Sequence, residues 1–114
     1  MDKVTSIKER SLKFSLDVID FLSLNKDLSP VIKNQLIRSA TSVGANLVEA
    51  RGSGSKKEFC RFYQIALKSS NETEYWWTLI NEGYKKDVNG LMDEIAQISK
   101  IIAASLITMR DNKK

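Results

Sequence analysis

Hydrophobic residues recur at helical spacing through four segments of the chain. The first segment runs roughly from Ser6 to Asn25, and Ser6 with Glu9 forms the pattern of a capping box. Its apolar stripe consists of Val4, Ile7, Phe14, Val18, Phe21 and Leu22, extended by Leu12, Leu16 and Ile19. The stripe covers about 220°, against the ~100° that suffices for a helix lying on one core. The excess is buried either by two neighbouring helices of the same chain, which we favour, or by another subunit.

The second and third segments are bounded by capping sequences. Ser29-Pro30 predicts the start of the second helix and Gly52-Ser53-Gly54 its end. Its apolar face is predicted to contain Leu36, Ile37, Ala40, Val43, Gly44, Leu47 and Val48. Ser55 and Glu58 predict the start of a third helix that runs to about Gly83 and is about 42 Å long. Its inner stripe is predicted to be Phe59, Phe62, Ala66, Ser69, Thr73, Trp76 and Ile80, with Trp77 beside it.

The fourth segment follows a turn at about residues 84–89. Helical spacing recurs there at Leu91, Ile95, Ile98, Ile102, Leu106 and Met109, and the tail 110–114 is predicted to fray. No strand pattern competes with these helices. Four amphipathic helices joined by short loops predict an all-α, antiparallel up-and-down four-helix bundle. The length fits a single domain, residues 1–114.

The composition argues against several classes of function. The chain has no histidine, which is the commonest general base and the commonest metal ligand, so we expect no metal and no cofactor. Cys60 is the single cysteine, which fits a small apolar residue in a reducing compartment. No apolar run reaches the length of a membrane span. We therefore predict a non-enzymatic cytoplasmic protein that does not bind membranes.

Positive charge is concentrated at the start of the third helix. Residues 51–68 contain five cations and one carboxylate, and so account for the whole net charge of +4. Lys57, Arg61 and Lys68 lie within about 40° of one another on an ideal helix. A cationic line suits a phosphate backbone, while a solvated basic face is the other interpretation. We define the basic strip as Arg51, Lys56, Lys57, Arg61, Gln64 and Lys68, and predict that it binds RNA or DNA.

A row of polar and small residues lies on the second helix, opposite its apolar face. Arg38, Ser42, Ala45 and Glu49 fall within about 60° of one another, with Gln35 and Asn46 at the edge. Short side chains let helices approach closely, and a buried polar row fixes register when its hydrogen bonds are satisfied. The row is either a solvated face or a contact with another helix or subunit, and the sequence leaves both open.

Four motifs carry a resemblance to a known family. They are Gln35-Leu36-x-Arg38-Ser39-Ala40-x-Ser42-Val43-x-x-Asn46-Leu47-Val48-Glu49, Glu58-Phe59-x-x-Phe62, Ile65-Ala66-Leu67-x-Ser69 and Glu72-Thr73-Glu74-Tyr75-Trp76. Together they resemble the four-helix-bundle family named after the 23S ribosomal RNA intervening-sequence proteins, and the resemblance covers nearly the whole chain. The chain departs from the family pattern at Glu49-Ala50-Arg51-Gly52, where glycine usually follows the acid directly, and at Lys68, where glycine is usual.

The resemblance implies an up-and-down bundle assembled as a homo-oligomeric ring, typically a homopentamer, with no catalytic residues. The family also includes accessory proteins of diversity-generating retroelements, which bind nucleic acid and a reverse transcriptase. Positions matching its polar signature, with a structural or interface role, are Arg38, Ser42, Asn46, Glu49, Ser69, Glu72 and Glu74. We therefore expect a self-associating protein that binds RNA or DNA. Alternatively, it is a protein-interaction scaffold or accessory subunit with no direct nucleic-acid contact.

Overall fold

Four helices form an up-and-down bundle in the computed structural model, which describes residues 6–111. They are α1 (Ile7–Leu24), α2 (Pro30–Arg51), α3 (Lys56–Gly83) and α4 (Asn89–Asp111), joined by loops at 25–29, 52–55 and 84–88. Each helix packs beside two others, in the cyclic order α1, α2, α3, α4. The predicted fold is confirmed. Val4, which was assigned to the first apolar stripe, lies outside the described residues.

Serine caps set the starts of the first three helices, as the sequence predicted. The Ser6 hydroxyl accepts the backbone N–H of Glu9 at 3.0 Å, and the Glu9 carboxylate accepts that of Ser6 at 3.3 Å. Ser29 caps α2 ahead of its N-terminal proline. The Ser55 hydroxyl accepts the N–H of Glu58 at 3.1 Å. Each cap satisfies a backbone donor that would otherwise have no intrahelical partner.

The predicted fraying at 110–114 is wrong for its first two residues, because α4 continues through Arg110 to Asp111. Met109, one turn after the buried Leu106, still contacts the core, so its packing supports the last turn. Residues 112–114 lie outside the described part of the chain.

The core combines aliphatic layers with hydroxyl pairs that connect neighbouring helices. Its fully buried members include Val18, Leu36, Ile80, Ile95, Ile98 and Ile102. The hydroxyl pairs are 2.7–2.9 Å apart: Ser39 with Thr73 and Ser42 with Ser69 between α2 and α3, and Ser70 with Ser99 between α3 and α4. Because a one-residue slip of α3 would break all three pairs, they fix the register of the bundle.

The buried face of α3 differs from the predicted one. Trp77 is 0% exposed, whereas Trp76 is only half-buried, and Ser70 is buried more deeply than Ser69. Phe59 and Phe62, also assigned to the inner stripe, are half-buried. The face is rotated because α2 and α4 pack on both flanks of α3, which places its centre about 40° from the predicted stripe.

The prediction that neighbouring helices of the same chain bury the whole apolar stripe of α1 is wrong. Leu12, Leu16 and Ile19 are 61%, 56% and 51% exposed. Within residues 6–111, α1 packs only beside α2 and α4. These two helices cover the side of α1 that carries Phe14 and leave the side that carries Leu16 exposed. Val48, assigned to the apolar face of α2, is also exposed.

The two adjacent tryptophans are expected to differ in their contribution to stability. Trp77 packs edge-on against Phe21, with ring centroids 5.1 Å apart, so Trp77→Ala opens a large cavity and lowers the free energy of unfolding by about 3–5 kcal/mol. Trp76→Ala should lower it by roughly 1 kcal/mol, because that ring is already partly in water. Urea denaturation monitored by circular dichroism measures both, and equal losses would contradict the burial pattern.

Lys85 in the α3–α4 loop has a φ of 58°, in the left-handed region that favours glycine. Lys85→Gly is expected to raise the free energy of unfolding by about 1 kcal/mol, because glycine lacks the Cβ that is strained there. Lys85→Ala is the matched control, since it removes the same charge and keeps the Cβ. If alanine stabilises as much as glycine in urea denaturation, backbone strain is not the cause.

Candidate nucleic-acid interface

The basic strip begins at the 52–55 loop and runs along the first half of α3. Arg51 is the last residue of α2 and Lys56 the first of α3, one on each side of the 52–55 loop. The rest lie along one side of α3 and are exposed: Lys57, Arg61, Gln64 and Lys68. Glu58 is the one acid between residues 51 and 68, and its carboxylate accepts the N–H of Gly54 at 3.1 Å, at the loop. The strip therefore presents a line of cations to solvent.

The charges of α3 run against its helix dipole. Four cations and one acid, Glu58, occupy its first half, where the dipole is positive. Its other acids, Glu72, Glu74 and Glu82, lie in the second half. A helix arranged for stability alone carries the opposite pattern. The arrangement strengthens the positive potential at the start of α3 and favours an anion there.

Arg61 of the basic strip makes a cation–π contact with its neighbour Phe62. Its guanidinium carbon lies 4.6 Å from the centre of the Phe62 ring. A guanidinium above an aromatic face is restricted in its motion, and its N–H donors can still bind another partner. A partly ordered guanidinium loses less side-chain entropy when it binds a phosphate than a freely rotating one does.

A groove of about 600 Å³ opens between the start of α3 and the end of α4. Its lining combines four members of the basic strip with three residues that the strip did not include: Lys56, Lys57, Arg61 and Gln64, with Cys60, Met109 and Arg110. Sequence reasoning missed Arg110 because it assigned that residue to a frayed tail. Met109 kept the helical spacing of α4, and extending that helix by one residue would have found Arg110.

A second surface, apolar in character, lies on the other side of the bundle. We call Leu12, Leu16, Ile19, Ala45 and Val48 the α1–α2 apolar face, and all five are exposed. A groove of about 370 Å³ runs through it, lined by Lys8, Glu9, Leu12, Ser15, Thr41, Gly44, Ala45 and Val48. Its short side chains leave room for another helix to approach closely. An exposed apolar patch of this kind is typical of a protein–protein contact.

The family model described as 23S rRNA-intervening sequence protein matches residues 3–104. The chain belongs to this family. A similar solved structure is a 1.70 Å crystal structure of a protein of unknown function from the S23 ribosomal protein family of Bacteroides thetaiotaomicron VPI-5482. It is 30% identical, with a TM-score of 0.82 over 89% of this chain and 98% of that chain. No match was found among curated proteins. The family membership predicted from the motifs is confirmed.

The α2 positions of the family's polar signature divide between a helix contact and solvent. The Ser42 hydroxyl pairs with Ser69 of α3 at 2.9 Å, and the Asn46 amide donates to the Ser42 carbonyl at 2.8 Å. Arg38 and Glu49 are exposed, as is Ala45 between them. Both alternatives left open by the sequence therefore apply, each to a different part of the row.

On α3, one of the two signature acids pairs with an aromatic side chain. The Trp76 indole donates to the Glu72 carboxylate at 3.0 Å, and the exposed Tyr75 ring packs edge-on against Trp76 at 5.2 Å between ring centroids. Glu74 is half-buried. The hydrogen bond between Glu72 and Trp76 restricts the orientation of that indole.

Among the residues that the structure describes, two side chains have a shifted pKa, and both lie off the line of cations. A hydrogen bond from Arg10 to Glu94, at 2.7 Å, raises the pKa of Arg10, and burial raises the pKa of Tyr63. Neither shift brings a titration towards neutral pH. Within residues 6–111, no three His, Cys, Asp or Glu side chains are grouped so as to hold a metal ion. No helix in that range is long and apolar enough to cross a membrane.

Proposed function

We propose that this protein is a non-enzymatic, homo-oligomeric bundle of the cytoplasm that binds RNA or DNA through the basic strip. The observation that carries the proposal is the exposed line of Lys57, Arg61 and Lys68. This line starts at the N-terminus of α3, which is the positive end of the helix dipole. These cations neutralise phosphates and do not read bases, so the binding has little sequence preference. Gln64 adds an amide donor and acceptor on the same side.

Self-association is the second part of the proposal. The α1–α2 apolar face supports it, because Leu12, Leu16 and Ile19 would gain burial in a contact between copies. The family resemblance implies a ring of five subunits, and we propose that number here. A ring repeats the basic strip around its circumference, so contacts that are weak singly act together on one polyanion.

A salt titration of binding to a mixed-sequence oligonucleotide tests the nucleic-acid part. For a single strand, the logarithm of the association constant should fall with the logarithm of salt concentration with a slope of about −2 if three phosphates are neutralised. A steeper slope is expected if several subunits engage the same strand. Absence of binding at low salt, or binding that does not change with salt, refutes phosphate neutralisation by the strip.

The α1–α2 apolar face also favours a second function, that of a protein-interaction scaffold or accessory subunit. In that case the face binds another protein, and the positive charge steers an acidic partner without contacting nucleic acid. The test is capture of partners from a nuclease-treated lysate by the unmodified protein and by Leu16→Glu. A partner that survives nuclease and is lost with Leu16→Glu supports the scaffold, while loss of all partners after nuclease treatment supports nucleic-acid binding.

A further inference from the structure

The rim of the groove between α3 and α4 is cationic. Lys57, Arg61 and Arg110 are exposed around it, Lys56 also lines it, and none of the described side chains in its lining is acidic. Arg110 reaches the groove from a different helix, so cations face it from both walls. Such a rim favours an anionic ligand, which would lie between the cations of α3 and Arg110 of α4.

The floor of the groove has a different chemistry. Cys60 and Met109 are half-buried, whereas the other lining residues are exposed. The sulfur atoms of Cys60 and Met109 lie 3.6 Å apart. Thioether and thiol groups are polarisable and make favourable contacts with aromatic rings. The volume of about 600 Å³ lies within the range of small-molecule sites. The groove therefore suits a ligand with an anionic edge and a flat, weakly polar body, and a nucleotide has both.

We propose that this groove receives one nucleotide of a single-stranded polynucleotide, with its phosphates on Lys57, Arg61 and Arg110 and its base against Cys60 and Met109. The inference rests on the proposed function and extends it. In a duplex the bases are paired and stacked inside, so a duplex presents only phosphates to the rim and leaves the floor empty. A single strand can turn a base outward, so that its phosphates contact the rim and its base fills the floor. The protein therefore prefers single strands to duplexes.

Cys60 supplies a direct test, because it is the single cysteine and lies in the floor of the groove. The rate of its alkylation by N-ethylmaleimide is measured in the full chain, alone and with a saturating 20-nucleotide RNA of mixed sequence. The single strand should slow alkylation at least tenfold. The same sequence as a duplex, added to the same bound fraction, should slow it less than twofold.

Met109→Glu tests the floor by a second route, with Thr108→Glu as the matched control. Both variants add one negative charge to the last turn of α4, but Thr108 is exposed and does not line the groove. Met109→Glu should weaken binding of the single strand at least tenfold relative to Thr108→Glu, with equal effects of the two variants on the duplex. If Met109→Glu fails to fold, judged by circular dichroism, the alkylation rates still decide the question.

The outcomes separate the inference from the function on which it rests. Binding of RNA with no protection of Cys60, or with equal affinity for single strand and duplex, overturns the inference and leaves binding by the basic strip standing. Absence of RNA binding at low salt overturns both. Protection of Cys60 by the single strand together with at least a tenfold preference over the duplex supports both.

Discussion

Replacing Lys57, Arg61 and Lys68 together by alanine is expected to weaken the proposed RNA binding by roughly 100-fold at low salt. The same variant should flatten the salt dependence of that binding by a slope of about 2 per subunit engaged. The three cations are exposed on one side of α3, so each can meet a different phosphate of the same strand. In a ring the loss is multiplied, because every subunit that engages the strand loses the same contacts. Fluorescence anisotropy with a labelled oligonucleotide over a range of salt concentrations measures both quantities.

A second triple variant controls for net charge. Three other lysines are also exposed: Lys13 on α1, Lys26 in the 25–29 loop and Lys85 in the 84–88 loop. Both of these loops lie at the end of the bundle opposite to the start of α3. Replacement of the three lysines by alanine removes the same charge and should weaken binding only about twofold, through the long-range field of the protein. Equal losses in the two triple variants would mean that overall charge, and not the strip, holds the nucleic acid.

The substitution Leu16→Glu is expected to convert the proposed assembly into single chains. Leu16 lies in the middle of the exposed stripe on α1, and a carboxylate there would be buried without a partner at every contact between copies. The dissociation constant of the assembly should rise by about 100-fold or more. Because the side chain is exposed within one chain, the free energy of unfolding of the isolated bundle should change by only about 0.5 kcal/mol. Light scattering coupled to size-exclusion chromatography measures the mass.

Leu24→Glu is the matched control on the same helix. Leu24 is 74% exposed, more than Leu16, but on an ideal helix it points about 80° away from Leu16. The control variant should keep the mass of the unmodified protein. If Leu16→Glu also keeps that mass, or if Leu24→Glu disrupts the assembly equally, the α1–α2 apolar face is not the contact between copies.

Local signals predicted the start of the first three helices and the overall fold. Ser6, Ser29 and Ser55 cap the helices that the sequence assigned to them, since a capping hydroxyl acts on a backbone N–H only a few residues away. Short loops between amphipathic helices left one simple arrangement, which is the observed bundle. These features depend on neighbours in the sequence, and a single chain contains all the information that they need.

Burial within each helix was predicted less well, because it depends on where the other helices lie. The predicted inner stripe of α3 lies about 40° from the buried face that the structure shows. The predicted stripe therefore includes Trp76, whereas the fully buried tryptophan is Trp77. The same limitation applies to α1, where periodicity identified an excess of apolar residues but could not show that Leu12 and Leu16 lack cover within the chain.

The candidate site was also predicted only in part from the sequence. Lys57, Arg61, Gln64 and Lys68 belong to one helix, so spacing alone placed them on one side. The groove beside them combines α3 with the last turn of α4, and residues 49 positions apart in the chain, Cys60 and Met109, form its floor. No local pattern links them, and only the packing of α3 against α4 reveals that Arg110 joins the cations.

Sedimentation of the unmodified protein, with a stoichiometric amount of single-stranded RNA present, tests most directly whether copies of this chain assemble and present their basic strips together. We expect one species that carries the RNA with it, and whose protein mass is close to five times the 12.9 kDa of one chain. A protein that sediments as a single 12.9 kDa chain, with the RNA remaining free, would contradict this expectation.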